Sequence, residues 1–236
     1  EGHIPGAVYF DIDAIKAGGT DLPHMLPDPV MFSSRARKLG LGDGNRIIVY
    51  DQFNFFASAR VWWMLRVMGQ RDVKVLDGGL KAWTDAGGET EDLPPVAVER
   101  HFTARVRSDL LKDSDQMLAA SANSSHNIID SRSAERFSGE APEPREGLPS
   151  GHIPGSICLP SGELRTEDGR MKSAEELGKL FPNPLAPTIA TCGSGVSAAV
   201  TALALARLGN WDVAVYDGSW AEWASDASRP VATGTA

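Results

Sequence analysis

The stretch Pro187-Thr188-Ile189-Ala190-Thr191-Cys192-Gly193-Ser194-Gly195-Val196-Ser197 joins a short apolar run to a segment rich in alanine and leucine. Residues 187–191 predict a buried strand, and residues 198–208 predict a helix that Gly209 ends. Two glycines within the connecting loop let the backbone turn tightly, so several N–H groups can converge at the helix N-terminus. A strand, a tight loop and a helix in this order are typical of an α/β fold with a parallel sheet.

Cys192 is the candidate nucleophile of this stretch. Converging N–H groups and the positive end of a helix dipole stabilise a thiolate, which is the reactive form of cysteine. The stretch therefore predicts a nucleophilic cysteine in a loop that can hold an anion. The alternative interpretation is a buried, inert cysteine, which is the usual state of a cysteine outside such a loop.

Composition and charge limit the possible partners. A chain of 236 residues with 42% hydrophobic residues can form one large or two small globular domains. The net charge of -8 argues against nucleic acid or an anionic membrane as a partner. No apolar stretch approaches the roughly 18 residues that span a bilayer. An anionic substrate must therefore be bound by local arginines and backbone N–H groups.

The cysteines and cofactor motifs give further expectations. Two cysteines form no disulfide framework, which favours a reducing compartment, and we expect the cytoplasm. Cys158 lies in an apolar run and is expected to be a small core residue. Neither a metal-ligand cluster nor a glycine-rich nucleotide motif occurs, so no metal and no cofactor is indicated. The sequence begins without Met, so a targeting peptide before residue 1 stays an open possibility.

The chain repeats itself. Gly2-His3-Ile4-Pro5-Gly6 recurs at residues 151–155, and the stretch from Asp72 to Gly79 recurs from Asp212 to Ser219. Two copies of one α/β unit explain this agreement best. Because one copy of the His-Ile-Pro-Gly turn belongs to a half without a cysteine loop, His3 and His152 are expected to be structural.

The repeat predicts two domains, each with a mainly parallel sheet flanked by helices. We expect the first domain at residues 1–90, a linker at 91–108 and the second domain at 109–236. The second copy has a strand, Asn127 to Asp130, before its His-Ile-Pro-Gly turn. Nothing equivalent precedes Glu1, so we expect the sequence to lack the opening of the first domain.

The two copies differ at the cysteine. A shift of 140 positions, which aligns Asp77 with Asp217, sets Gln52 opposite Cys192. A glutamine amide is no sulfur nucleophile, and the phenylalanines at positions 53, 55 and 56 replace the glycine-rich loop. We therefore expect one active site per chain, in the second domain.

These features resemble the tandem-domain rhodanese superfamily, and within it the 3-mercaptopyruvate sulfurtransferases. The resemblance covers nearly the whole chain. Its most specific motifs are Cys192-Gly193-Ser194-Gly195-Val196-Ser197, Leu22-Pro23-His24-Met25-Leu26-Pro27, Arg60-Val61-Trp62-Trp63-Met64, Glu143-Pro144-Arg145 and Tyr216-Asp217-Gly218-Ser219-Trp220. Ser197 stands where the family usually has threonine and keeps the hydroxyl.

The resemblance implies roles for particular residues. Cys192 would carry a persulfide in a cleft between the domains, cradled by the loop N–H groups of residues 193–197, among them Gly193, Gly195, Val196 and Ser197. Arg136 and Arg145 would bind the carboxylate and carbonyl of the substrate. Their alternative is surface ion pairing with nearby glutamates at positions 135, 140 and 143.

The resemblance also implies a proton relay formed by Ser194, His24 and Asp13, with the last two reaching over from the first domain. Its alternative is that His24 is a turn or interface residue. Arg132 is expected to brace the strand end by pairing with Asp130 or another acid. Packing in the core or between the domains is expected for Trp62, Trp63, Trp83, Trp220 and Trp223.

The loop composition favours one substrate class. Thiosulfate-type members of the superfamily place Arg and Lys directly after the cysteine, whereas Gly193 and Ser194 are neutral. The expected activity is therefore transfer of sulfur from 3-mercaptopyruvate to an acceptor thiol, such as that of a thioredoxin-like protein, with release of pyruvate. A cysteine phosphatase would need an arginine at position 198, which is Ala198. Two alternatives stay open: a thiosulfate:cyanide sulfurtransferase, and a non-catalytic sulfur carrier or thiol redox sensor.

Overall fold

The computed structural model describes residues 2–52 and 54–235, which fold into two compact units. The first unit contains Glu1–Gly19, Leu26–Arg107 and Arg165–Met171. The second contains Thr20–Met25, Ser108–Leu164 and Lys172–Ala236. The units therefore differ from the expected contiguous domains, because two short segments belong to the unit of the other half of the chain.

Residues 91–107, expected to form a linker, belong to the first unit. They contain no helix or strand, yet backbone hydrogen bonds attach them to that unit. The N–H groups of Arg105 and Arg107 donate to the carbonyls of Met68 and Val67 at 2.9 and 2.7 Å. Backbone pairing of this kind fixes an irregular segment as firmly as a strand edge does.

The first unit is a small α/β layer. Its elements are α1 Pro29–Lys38, β1 Ile47–Val49, α2 Phe56–Val67, β2 Val73–Val75 and α3 Gly79–Asp85. Strands β1 and β2 pair in parallel. Helix α1 begins at Pro29 because the Asp28 side chain accepts hydrogen bonds from the next two free N–H groups. Helix α2 is apolar on nearly all sides and is the buried centre of the unit.

The second unit is built on a five-stranded parallel sheet of order β3-β7-β6-β4-β5. Its elements are β3 Leu111–Lys112, α4 Ser114–Asn123, β4 Asn127–Asp130, α5 Ala134–Ser138, β5 Ser156–Cys158, α6 Ala174–Leu180, β6 Thr188–Thr191, α7 Ala198–Arg207, β7 Ala214–Tyr216 and α8 Ser219–Trp223. The expected fold class, parallel sheets flanked by helices in two α/β units, is confirmed.

The central strand β6 and the helix α7 that follows it lie close to the positions predicted from the sequence. Strand β6 is buried along its whole length, and α7 ends at Arg207 with Gly209 in the left-handed region (φ 96°). A fully buried parallel strand reads as an unbroken apolar run, which is why residues 187–191 were recognisable. The sheet places β6 between β7 and β4, so the loop after it lies at the centre of one edge.

The repeated His-Ile-Pro-Gly turns have a structural role, as expected. His3 forms an antiparallel bridge with Glu91, and His152 forms one with Ala232. The buried ring of His152 stacks on Phe137 at 3.7 Å and pairs with the Phe137 carbonyl at 2.8 Å. Each turn thus pairs with a later segment of its own unit.

Of the tryptophans predicted to pack in the core or between the domains, all but one are buried in the core; Trp211, for which no such prediction was made, is 53% exposed. Trp62, Trp63, Trp220 and Trp223 are buried. Trp83 is half-buried instead, and its indole N–H donates to the carbonyl of Glu89 at 2.8 Å. A tryptophan with its N–H bonded at the rim of a core still removes much apolar surface from water.

The turn at Gly151 gives a test of the second unit's stability. Gly151 has φ 128°, and a Cβ there would overlap the carbonyl oxygen of Ala232. We expect Gly151→Ala to lower the free energy of unfolding by about 2–4 kcal/mol, measured by urea denaturation. Gly147→Ala is the matched control, because Gly147 has φ 83° but open space around it. Its expected cost is about 1 kcal/mol, so equal losses in both variants would contradict the packing argument.

Candidate active site

Cys192 follows the last residue of β6 and begins the loop to α7. The residue is almost fully buried, with 2% of its surface exposed. Gly195 has φ 75°, a backbone conformation that favours glycine, so the second loop glycine is required by the turn. Gly195 and Val196 are buried, whereas Gly193, Ser194 and Ser197 are half-buried. The loop therefore brings a sulfur to the carboxyl edge of the sheet, where open α/β sheets bind their ligands.

The loop backbone is fixed from the side of α8. The N–H of Trp220 donates to the carbonyl of Cys192 at 2.9 Å, and the N–H of Ala221 donates to that of Gly193 at 3.0 Å. These donors belong to the first turn of α8, whose N–H groups have no partner inside their own helix. The start of α8 thus fixes the carbonyl groups of Cys192 and Gly193.

Ser219 touches the cysteine directly. The N–H of Cys192 donates to Ser219 Oγ at 3.2 Å, and Ser219 Oγ lies 4.0 Å from Cys192 Sγ and 2.8 Å from the Tyr216 carbonyl oxygen. Ser219 has φ 50°, which is uncommon for a residue with a side chain. Ser219 belongs to the motif Tyr216-Asp217-Gly218-Ser219-Trp220, but no role for it is predicted from the sequence. The signal was available in the repeat, because Ser219 stands opposite Gly79.

The pairing of strands in the two units shows that the alignment of the two copies by a single shift was wrong. Lys74 and Ala214 occupy equivalent strand positions, and they pair with Ile48 and Ile189 respectively. Since Ile48 and Ile189 lie 141 positions apart, Gln52 does not stand opposite Cys192. The equivalent residue is Asp51. The error arose because the first copy has one more residue between its two strands, which a single shift over the whole chain cannot accommodate.

Hydrogen bonds support the corrected alignment. The N–H of Leu80 donates to the Asp51 carbonyl at 2.8 Å, just as that of Trp220 donates to Cys192. The Asp51 carboxylate accepts the N–H of Phe55 at 3.3 Å and both the N–H and the hydroxyl of Ser58 at 3.1 and 3.0 Å. Phe53, expected in this loop, lies outside the described residues. The first copy therefore carries a carboxylate where the second carries sulfur, and N–H groups at the start of α2 bind it.

Arg136 lies against the cysteine loop. Its Nη2 is 3.0 Å from the point that a Cβ on residue 193 would occupy, so Gly193 leaves the space for the guanidinium. Glu143 accepts hydrogen bonds from Arg136 Nε at 3.2 Å and Nη2 at 2.6 Å. Arg136 is 24% exposed, whereas the Glu143 side chain is buried. The two interpretations of Arg136 are compatible, because it is paired with a glutamate and also borders the loop.

Arg132 is a buried brace, as expected. Its guanidinium donates to Asp130, to Glu143 and to the Gly151 carbonyl, with the shortest contacts at 2.6, 2.8 and 2.8 Å. It also stacks over Trp220 at 4.5 Å. Although burial opposes the charge, the two carboxylates raise the pKa of Arg132. Removing either carboxylate would leave a buried charge with fewer partners.

The remaining site residues implied by the resemblance are Arg145, Ser194, His24 and Asp13. Arg145 is half-buried in the segment between α5 and β5. His24, with φ 57°, belongs to the second unit, as do Ser194 and Cys192, whereas Asp13 belongs to the first. The relay of Ser194, His24 and Asp13 stays a prediction.

Cys158 is half-buried at the edge strand β5, so the expectation of a core position was wrong. Burial and the nearby Asp130 carboxylate raise the pKa of Cys158 to about 11. Its Sγ donates to the Arg132 carbonyl at 3.8 Å. At neutral pH this cysteine is a thiol, not a nucleophile.

Neither a cluster of metal-ligating side chains nor a helix fit to span a membrane occurs within residues 2–52 and 54–235. That part of the chain has no group of three or more His, Cys, Asp and Glu side chains arranged to bind a metal ion. None of its helices combines the length and the apolar character that crossing a membrane requires.

The chain belongs to the rhodanese-like domain family, whose pattern matches residues 1–86 and 113–226. It is 42% identical to a 3-mercaptopyruvate sulfurtransferase of Escherichia coli over 98% of this chain and 83% of the relative. It is 39% identical to the mitochondrial thiosulfate/3-mercaptopyruvate sulfurtransferase 1 of Arabidopsis thaliana, over 97% of this chain and 67% of the relative. The crystal structure of Tum1 from Saccharomyces cerevisiae matches with a TM-score of 0.91 and 31% identity, over 100% of this chain and 85% of that one.

The raised pKa of Cys158 gives a test by alkylation. In a Cys192→Ser variant only Cys158 can react with iodoacetamide. Because the thiolate is the reacting form, we expect a rate at pH 8 at least about tenfold below that of a small free thiol. The rate should reach half of its maximum near pH 11, where half of Cys158 is ionised. A plateau already at pH 9 would contradict the assignment.

Proposed function

We propose that this chain is a sulfurtransferase that takes sulfur from 3-mercaptopyruvate through a persulfide on Cys192 and releases pyruvate. The observation that carries the proposal is the contact of the Arg136 guanidinium with Gly193, the residue directly after the cysteine. It puts a group that binds carboxylates beside the candidate nucleophile. The names of the E. coli and Arabidopsis relatives support the same donor.

The proposed first half-reaction is a nucleophilic attack. The Cys192 thiolate attacks the sulfur of 3-mercaptopyruvate, so an S–S bond forms and the C–S bond breaks. The electron pair of the broken bond stays on carbon as the pyruvate enolate. The proton of the substrate thiol moves to that carbon, so the products are a Cys192 persulfide anion and pyruvate. A step of this kind is covalent catalysis with a ping-pong pattern.

The loop N–H groups of residues 193–197 are proposed to hold the persulfide. The first copy supports this role, because the Asp51 carboxylate there accepts two backbone N–H bonds at the start of α2. N–H groups at a helix N-terminus bind anions irrespective of their identity. The Ser219 hydroxyl donates its one hydrogen to the Tyr216 carbonyl and accepts the N–H of Cys192, so we assign Ser219 to positioning the cysteine and not to binding the persulfide.

Arg136 and Arg145 are proposed to bind the carboxylate and carbonyl of the substrate. Glu143 accepts from Nε and Nη2 of Arg136, so we assign to the substrate the other edge of the guanidinium, formed by Nη1 and the second hydrogen of Nη2. Nη2 is also the atom 3.0 Å from the Cβ position of residue 193. The relay of Ser194, His24 and Asp13 is proposed to deliver the proton to the departing enolate. A histidine suits this task because its ordinary pKa lies near neutral pH.

The second half-reaction is proposed to pass the outer sulfur to an acceptor thiol, such as that of a thioredoxin-like protein. The attacking thiolate forms a new S–S bond with that sulfur, and the Cys192 thiolate leaves. We also propose a reducing compartment, the cytoplasm, because both Cys158 and Cys192 are free thiols.

Mass spectrometry tests the persulfide. After the protein is mixed with 3-mercaptopyruvate, we expect a mass gain of one sulfur atom, located on Cys192 and removed by dithiothreitol. Cys192→Ser should show neither the gain nor turnover, because a serine hydroxyl is a poor nucleophile without a thiolate's charge. Sulfur found on Cys158, or turnover retained by Cys192→Ser, would contradict the mechanism.

Substitution of the arginines tests the donor site. We expect Arg136→Ala to raise KM for 3-mercaptopyruvate about tenfold, since a charged hydrogen bond contributes about 1.5–3 kcal/mol; Arg145→Ala should act in the same direction. Arg46→Ala is the control, because Arg46 pairs with Asp72 in the first unit. A higher kcat/KM for thiosulfate than for 3-mercaptopyruvate would instead support the thiosulfate alternative. If both arginines were dispensable, a carrier or sensor would be favoured.

A further inference from the structure

We propose that Glu143 is a positioning residue that fixes Arg136 against the cysteine loop and thereby sets the affinity for the substrate. The inference rests on the proposed function, because it assigns Glu143 a task in the binding of the same donor. Glu143 itself would touch neither the substrate nor the reacting sulfur. It would act through the guanidinium that does.

The first argument is geometric. The Glu143 side chain is 1% exposed and lies between two guanidinium groups. Its Oε1 accepts from Arg132 Nη1 at 2.8 Å and Arg136 Nε at 3.2 Å, while its Oε2 accepts from Arg136 Nη2 at 2.6 Å. The two bonds to Arg136 form a fork, which fixes the plane of the guanidinium as well as its position. A single hydrogen bond would fix only its distance.

The second argument is that Glu143 is itself immobile. Arg132 holds it from the inner side, and Arg132 is in turn held by Asp130, by the Gly151 carbonyl and by the ring of Trp220. Asp130 ends β4 and lies in register with Thr191, the residue before the cysteine. A continuous set of contacts thus runs from the strand beside the cysteine, through Arg132 and Glu143, to Arg136.

The third argument concerns the state of Arg136 before substrate binds. A long arginine side chain at 24% exposure would ordinarily sample several rotamers, and ordering it on binding weakens affinity. Glu143 removes that freedom in advance, on a rigid support of the kind that precise binding sites need. It also separates two like charges, because without its carboxylate the guanidiniums of Arg132 and Arg136 would repel each other.

The experiment is a steady-state comparison of Glu143→Gln with Asp115→Asn. Each variant removes the carboxylate partner of an arginine in the second unit, but Asp115 pairs with Arg229, whereas Glu143 pairs with Arg132 and Arg136. We expect Glu143→Gln to raise KM for 3-mercaptopyruvate about tenfold with kcat changed less than about twofold. Asp115→Asn should leave both KM and kcat unchanged. Glu143→Asp, which keeps the charge but is too short to bridge both arginines, serves if Glu143→Gln does not fold, and the same rise in KM is expected.

A double variant tests the route of the effect. In an Arg136→Ala background, Glu143→Gln should raise KM by less than about twofold further, because its partner is already gone. Equal rises of KM in Glu143→Gln and Asp115→Asn, or an undiminished effect in the Arg136→Ala background, would overturn the proposal.

A readout without substrate separates this inference from the proposed function. Nitrogen-15 NMR of the arginine Nε–H groups should give an Arg136 signal that is protected from solvent exchange in the wild type and in Asp115→Asn. The same signal should be lost in Glu143→Gln. If the wild type forms no persulfide with 3-mercaptopyruvate, the proposed function fails while this signal still tests the fixing of Arg136. An Arg136 signal that survives in Glu143→Gln would overturn the inference by itself.

Discussion

The ion pairing of the buried Arg132 guanidinium is the interaction on which the structure around the cysteine depends. A charged side chain that is only 1% exposed is tolerated in a fold only when the charge is completely paired. The partners of Arg132 are Asp130, Glu143, the Gly151 carbonyl and the ring of Trp220. These partners come from the end of β4, the segment before β5 and the start of α8. One charge therefore holds together three parts of the chain that lie far apart in sequence. The start of α8 also fixes the carbonyls of the cysteine loop, so packing around Arg132 and geometry at Cys192 are linked.

The two copies of the repeat contain loops with similar backbone hydrogen bonds, but the residue at the cysteine position differs between them. In the first unit the Asp51 carboxylate accepts hydrogen bonds from N–H groups at the start of α2, so the anion bound there is a side chain of the loop itself. In the second unit the equivalent residue is Cys192, which is shorter and has a polarisable sulfur. Ser219 replaces Gly79 beside it, at the cost of a left-handed backbone conformation. Such strain persists only where the surroundings enforce it, and here the Ser219 hydroxyl bridges the cysteine and the Tyr216 carbonyl.

The sequence was informative where the signal was local. A buried strand, a glycine loop and an alanine-rich helix are periodic patterns within about 20 residues, and the structure has them at Thr188–Thr191 and Ala198–Arg207. The pairing of Arg132 with Asp130 was also predictable, because the two residues are neighbours. Contacts between distant segments were not. Glu143 was considered only as a surface partner, and its burial between two arginines depends on how the segment after α5 folds back.

The sequence by itself determined the α/β class, the duplication, the loop that presents Cys192 and the absence of a cysteine in the first copy. Only the tertiary structure decided that Asp51 is the counterpart of Cys192, that Ser219 touches the sulfur and that Arg136 is held beside Gly193. The physical reason is that strands, turns and helices follow from hydrophobic period and backbone freedom, which are properties of short segments. Register between strands and the partners of a buried charge are set by packing, and packing joins residues that no local pattern connects.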